Sequence, residues 1–245
     1  MENSTTNESG GGEKQSPFII PGTILLAAVI VAGAIMYASG GKTAKAPDGE
    51  DQQAAAAGAS EDAQRLLQAE PGDFVLGNPE APVTLVEFAD FQCPFCGRFF
   101  KQTLPQIKDK YVKTGQVKFI FRDFAFLGEE SFRAAEAARC AGEQRKFWEY
   151  HDYLYNHQSG ENEGAFADTN LKKFALTLGL DQESFDACLD SGKYRELVEK
   201  ESSGGNDLGV SGTPTTFVNG KSVVGAVPFS EIDKEIQAAL QAAGE

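Results

Sequence analysis

Residues 83–104 read VTLVEFADFQCPFCGRFFKQTL. Val83 to Phe88 is apolar and partly β-branched, the pattern of a buried strand. Gly97 to Leu104 carries an apolar stripe at helical spacing. Between them stands Cys93-Pro94-Phe95-Cys96, so Cys93 falls at the first turn of a helix. There the free N–H groups and the helix dipole favour a thiolate over a thiol. A thiolate is the nucleophile of disulfide exchange, and a second thiol three residues on can resolve the mixed disulfide. The rival use of C-x-x-C is half a zinc site. The chain has no second C-x-x-C, and its two histidines, His151 and His157, stand six apart in a helical segment. No metal is therefore expected.

Working outward, Phe74 to Gly77 reads as a short strand closed by Asn78-Pro79. The helix begun at Cys93 runs to about Val112, with a kink expected at Pro105. Gln116 to Phe124 alternates as a strand. From Glu129 to about Glu201 only helical patterns occur. Strands return at Thr215–Val218 and Ser222–Val224 around an Asn219-Gly220 turn. Ser230 is expected to cap a last helix from Glu231 to about Ala242, with Ile232, Ile236 and Leu240 on one face. This order predicts an α/β domain with a thioredoxin-like fold over residues 73–245, carrying a helical insertion at about 129–205. That length suffices to bury a core.

The N-terminal part has a different character. Residues 1–17 form a polar tail. Residues 18–38, FIIPGTILLAAVIVAGAIMYA, hold no charge, and such a run crosses a hydrocarbon core of roughly 30 Å as a transmembrane helix. The rival is a cleaved signal peptide with a site at Ala44-Lys45-Ala46. The run exceeds the ~7–15 apolar residues of a signal, and Pro47 follows the cut. Residues 39–72 read as a flexible linker with a short helix at 62–69. Lys14 before the span against Lys42 and Lys45 after it weakly opposes a cytoplasmic N-terminus. Four cysteines point instead to an oxidising compartment for the domain, and this chemistry outweighs a one-lysine bias. The net charge of −14 argues against nucleic acid as a partner.

Five segments together resemble the DsbA-type branch of the thioredoxin superfamily, in its membrane-anchored bacterial form. They are VEFADFQCPFC at 86–96, FRD at 121–123, KFWEYHD at 146–152, LGLD at 178–181 and VSGTPTTFVNG at 210–220. The resemblance covers residues 73–243. It implies disulfide exchange outside the cytoplasm, with Cys93 as nucleophile and Cys96 as the buried resolving thiol. It implies that Pro214 is a cis-proline facing the pair and that Thr213 presents backbone groups to a substrate peptide. It also implies that Glu87, six residues before Cys93, lies buried beneath the site and exchanges a proton with Cys96; a solvent-facing strand residue is the alternative. Many relatives have histidine where Phe95 stands, so this departure weakens the case for a strongly oxidising site. Phe95 and Pro94 are candidate substrate contacts.

Cys140 and Cys188 fall in two helices of the insertion. Two cysteines in one small exported domain are expected to form a structural disulfide, the alternative being buried free thiols. Trp148, His151 and Tyr155 share a helical side and read as insertion core. Arg122 and Asp123 close a strand and read as structural or near the groove.

The resulting expectation is a membrane-anchored, extracytoplasmic thiol–disulfide oxidoreductase of the bacterial cytoplasmic membrane, monomeric and without cofactor, because the disulfide carries the electrons. Its partners would be cysteine-containing exported polypeptides and a membrane redox protein that resets the disulfide. Net oxidation is favoured over isomerase or reductase action, because residues 39–72 are too short for the dimerisation domain of DsbC-like isomerases. The reading from another class is a non-catalytic, membrane-tethered peptide-binding module.

Overall fold

The computed structural model describes residues 59–244. The expected tail at 1–17, the transmembrane run at 18–38 and the linker as far as residue 58 lie outside the described residues. Among the described residues no helix is long and apolar enough to cross a membrane.

Five strands form one sheet: β1 (Val75–Leu76), β2 (Val83–Ala89), β3 (Val117–Asp123), β4 (Thr215–Val218) and β5 (Lys221–Val224), in the order β1-β3-β2-β4-β5. All seven residues of β2 are buried. This follows from its central place, parallel to β3 and antiparallel to β4. Val83, Leu85 and Val218 pack on one face with Phe99, Leu104, Ile107, Ile232 and Ile236. Val86, Phe88, Ile120 and Phe217 pack on the other with Ala63, Leu67, Leu208 and Val210.

The helices in chain order are α1 (Glu61–Arg65), α2 (Pro94–Gln102), α3 (Leu104–Ile107), α4 (Glu129–Glu143), α5 (Phe147–Asn156), α6 (Asp168–Thr177), α7 (Gln182–Asp190), α8 (Arg195–Asp207) and α9 (Phe229–Ala243). The crossover from β2 to β3 is broken rather than continuous. α2 stops at Thr103, whose hydroxyl donates to the Val227 carbonyl at 2.9 Å. Pro105 then lacks the N–H a continuing helix would use, and a π-helical turn at Lys108–Val112 finishes the crossover.

Helices α4 to α8 lie between β3 and β4 in the chain. Cys140 of α4 and Cys188 of α7 are joined by a disulfide, with Cα atoms 5.8 Å apart. Trp148, His151 and Tyr155 do not stay within the insertion. The His151 and Tyr155 rings meet Phe91 and Phe100, and His151 also meets Phe121 of β3, so this face joins the insertion to the sheet domain.

Two expectations need correction. The short helix expected at 62–69 is present as α1, but the segment that holds it is packed at Ala63 and Leu67 rather than flexible. Ser60 caps α1 by accepting from the Ala63 N–H, and Ala63 and Leu67 are buried against the sheet. Arg122 holds the same segment by donating to the carbonyls of Leu66 and Gln68 and to the Asp73 carboxylate. Nor does Ser230 cap the last helix. Pro228 precedes its first residue, Phe229, and a proline presents no unsatisfied N–H at a helix entry.

Candidate active site

β2 ends at Ala89, and the chain turns through residues 90–93 into α2. The turn is held by Asp90. Its Oδ1 accepts from the Gln92 N–H at 2.8 Å and the Ser131 hydroxyl at 2.7 Å, and its Oδ2 accepts from the N–H groups of Phe126 and Leu127. Gln92 continues the lattice, donating to Ser131 Oγ at 2.8 Å and accepting from the Asn162 N–H at 2.6 Å. Four donors thus converge on one buried carboxyl group and fix the shape of the turn.

Cys93 is the residue that precedes the first turn of α2, and Pro94 occupies the position where a missing N–H costs nothing. Cys93 and Cys96 form a free dithiol, both buried. The Cys93 thiol lies 3.4 Å from the Thr213 carbonyl, in the residue before Pro214, and the Thr213–Pro214 peptide is cis. Thr213 and Pro214 therefore face the dithiol across 120 residues of chain. Phe95 is 54% exposed and lies beneath the Arg98 guanidinium.

The electrostatics separate the two thiols. A hydrogen bond from Cys96 is the largest influence on Cys93. Thr213 and the N–H groups of Cys96 and Phe95 act in the same sense, and together they outweigh burial and bring its pKa down to about 6. Cys96 is pushed well above the usual thiol range, by burial first and then by Cys93 and the Glu87 charge. At neutral pH one sulfur is a thiolate and its neighbour a thiol, the division of labour that exchange requires.

Glu87 faces the same side of the sheet as Leu85 and lies opposite Thr216 on β4. It is buried, and its carboxyl is held well above the usual range, by burial first and by the Cys93 charge second. The folded state thus holds this proton more tightly than the unfolded chain does. Glu87 costs nothing below about pH 4, where both states are protonated, and destabilises the fold as pH rises towards its folded pKa. Glu87→Gln is expected to stabilise the protein at pH 7 and above by about 1.4 kcal/mol for each unit of elevation. The gain should vanish near pH 4. Urea unfolding of both proteins across that range checks it, and a gain independent of pH would contradict a titrating carboxyl.

Sequence reasoning missed Gln158. Its side-chain amide donates to the carbonyls of Phe91 and Cys93, each at 2.8 Å. It follows α5 in an irregular segment, and no periodic pattern marks it. Among the described residues no group of histidine, cysteine, aspartate and glutamate is arranged to hold a metal ion.

A family model described as Thioredoxin matches residues 69–238. Disulfide bond formation protein D of Bacillus subtilis is 31% identical over 173 residues, which cover 69% of this chain and 78% of that protein. The crystal structure of oxidised BdbD from Bacillus subtilis superimposes with a TM-score of 0.67 at 30% identity, over 71% of this chain and 96% of that one. The Na(+)/H(+) antiporter NhaA 1 of Salinispora arenicola is 33% identical over 170 residues. The match covers 69% of this chain but only 25% of the antiporter's length.

Proposed function

Because the chain belongs to the thioredoxin family, in its DsbA-type branch, we propose that it is a protein thiol–disulfide oxidoreductase acting as a net oxidase of exported polypeptides. The observation that carries this reading is the geometry of the dithiol. Cys93 stands at the start of α2 with its sulfur 3.4 Å from the carbonyl of Thr213, the residue before the cis-Pro214, and beside the buried Cys96. This setting draws the Cys93 pKa down to about 6 and pushes that of Cys96 up. In the oxidising direction a substrate thiolate attacks Cys93 Sγ of the Cys93–Cys96 disulfide. That bond breaks, and the Cys96 sulfur leaves as a thiolate that takes a proton from Glu87. A second substrate thiolate then attacks the substrate sulfur of the mixed disulfide. The substrate keeps the new disulfide, and Cys93 leaves as a thiolate. A low leaving-group pKa speeds this last step and stabilises the reduced enzyme, so it favours oxidation of the substrate.

Thr213, Pro214, Pro94 and Phe95 frame the attacked sulfur, and the exposed Phe95 ring offers apolar contact to an unfolded segment. Residues 18–38 would anchor the domain to the bacterial cytoplasmic membrane, on its outer side. There a membrane redox protein would take the two electrons and restore the disulfide. The chain would work as a monomer.

The test compares reoxidation of reduced ribonuclease with reduction of insulin, alongside acid-quenched thiol trapping in cells. Faster ribonuclease reoxidation than insulin reduction and an oxidised Cys93–Cys96 pair at steady state are expected. Insulin reduction with a reduced pair in cells would make the protein a reductase. Activity equal to that of Cys93→Ser in both assays would make it a binding module.

A further inference from the structure

We infer that Gln158 is a positioning residue for the Cys93 thiolate, through which the helical insertion sets the shape of the redox turn. The inference rests on the exchange chemistry proposed above. The two N–H bonds of the Gln158 amide go to Phe91 O and Cys93 O, the carbonyls on either side of Gln92. The Cys93 carbonyl also accepts the Gly97 N–H at 3.1 Å, the first hydrogen bond of α2. Gln158 therefore grips the group on which the helix starts.

The grip needs room. A β-carbon on Gly97 would collide with Gln158 Oε1. Gly97 has an ordinary helical backbone, so neither a turn nor a left-handed conformation explains a glycine there. What it supplies is space for this one amide.

The grip also bears on reactivity. Pro94 has no N–H, so the first donors available to the Cys93 sulfur are the N–H groups of Phe95 and Cys96. Their direction is fixed by the orientation of the Cys93–Pro94 peptide, whose oxygen Gln158 holds. Gln92, anchored on Ser131 and Asn162, holds the turn from its other side. With Gln158 removed, the turn keeps its covalent motif and the contacts of Asp90 and Gln92 with the insertion, and loses the amide's hold on its carbonyls.

The experiment titrates Cys93 in the full chain by the pH dependence of alkylation, with Gln158→Ala, Gln158→Glu, Gly97→Ala and Gln158→Ala/Gly97→Ala beside wild type. Gln158→Ala is expected to raise the Cys93 pKa by about one unit, so that alkylation at pH 6 falls several-fold. Gln158→Glu keeps the volume but loses both donors and adds a charge, and should raise the pKa further. Gly97→Ala should raise it in the presence of Gln158 and add nothing in its absence, a coupling that independent effects would not show. If Gln158→Ala does not fold, as read by a cooperative unfolding transition, Gln158→Glu and Gly97→Ala carry the test. A wild-type titration curve in both Gln158 variants, or an equal Gly97→Ala effect in both backgrounds, overturns the inference. Alkylation needs no substrate, so a wild type with a depressed Cys93 pKa and no exchange activity would overturn the proposed function and leave this inference standing.

Discussion

Replacing Cys96 with alanine is expected to halt the enzyme after half a cycle. In the wild type a Cys93 at about pKa 6 is about 90% thiolate at pH 7, against roughly 3% for an ordinary cysteine near 8.5. The variant loses the Cys96 thiol, the largest influence that lowers this pKa, but keeps Thr213 and the N–H groups of residues 95 and 96. Attack on a substrate disulfide therefore proceeds, more slowly than in the wild type. One substrate sulfur leaves and the other stays bonded to Cys93. With no thiol at 96, nothing within the molecule attacks Cys93 Sγ to expel it. The oxidising direction fails as well, since the Cys93–Cys96 disulfide cannot form. Non-reducing electrophoresis should therefore show stoichiometric adducts with Cys96→Ala and none with Cys93→Ser, and turnover by either should fall to background. Turnover by Cys96→Ala within about tenfold of wild type would remove Cys96 from the mechanism.

The second large effect lies away from the sulfurs. Arg122→Ala is expected to cost about 3–5 kcal/mol of stability, the range for breaking a buried ion pair by removing one partner. Its guanidinium donates to the Leu66 and Gln68 carbonyls, to both oxygens of Asp73 and to Glu201 at 3.2 Å. Arg139 is the only other cation within this group, donating to Glu201 at 2.6 Å and Asp123 at 2.5 Å. Truncation would leave three carboxylates facing one arginine. Burial already raises the Glu201 carboxyl against the pull of Arg139 and Arg122, so Glu201 should take up a proton more readily in the variant. Urea denaturation reads the cost, and protease cleavage near residues 66–72 should appear at denaturant levels where wild type resists. Arg122→Lys should recover only part of the loss, because an ammonium cannot reproduce the planar fork of donors. A cost below about 1 kcal/mol would mean that the cluster is solvated rather than buried.

The sequence carried the redox strand and helix because both kinds of signal are local. A mostly apolar strand, a C-x-x-C and a helical stripe occupy adjacent residues, and an Asn-Gly turn announces its own hairpin. The late helix was legible from Ile232 and Ile236, although its first residue was misplaced because the helix starts directly after Pro228, which leaves Ser230 inside its first turn. Residues 60–72 read as linker with a short helix because their contribution to the core is two apolar anchors, Ala63 and Leu67, beside Ala/Gly sequence. What fixes them is an arginine 49 residues or more away. Gln158 was invisible for the same reason. A half-buried glutamine belongs to no periodic pattern, and its meaning appears only when the fold brings it to Cys93, 65 residues upstream. The role of Gly97 then becomes readable as well, as space kept for that amide.

The buried carboxyl of Glu87 has a practical consequence for anyone engineering this domain. With Glu87 in the proton-donor role proposed above, stability and turnover would make opposite demands on its one carboxyl group. Selection for heat resistance at neutral pH should enrich uncharged replacements there early, and each would survive heating better while handing protons to Cys96 more slowly. A thermostable variant useful as a catalyst should therefore be sought with position 87 fixed, and its gains taken from the surface helices of the insertion.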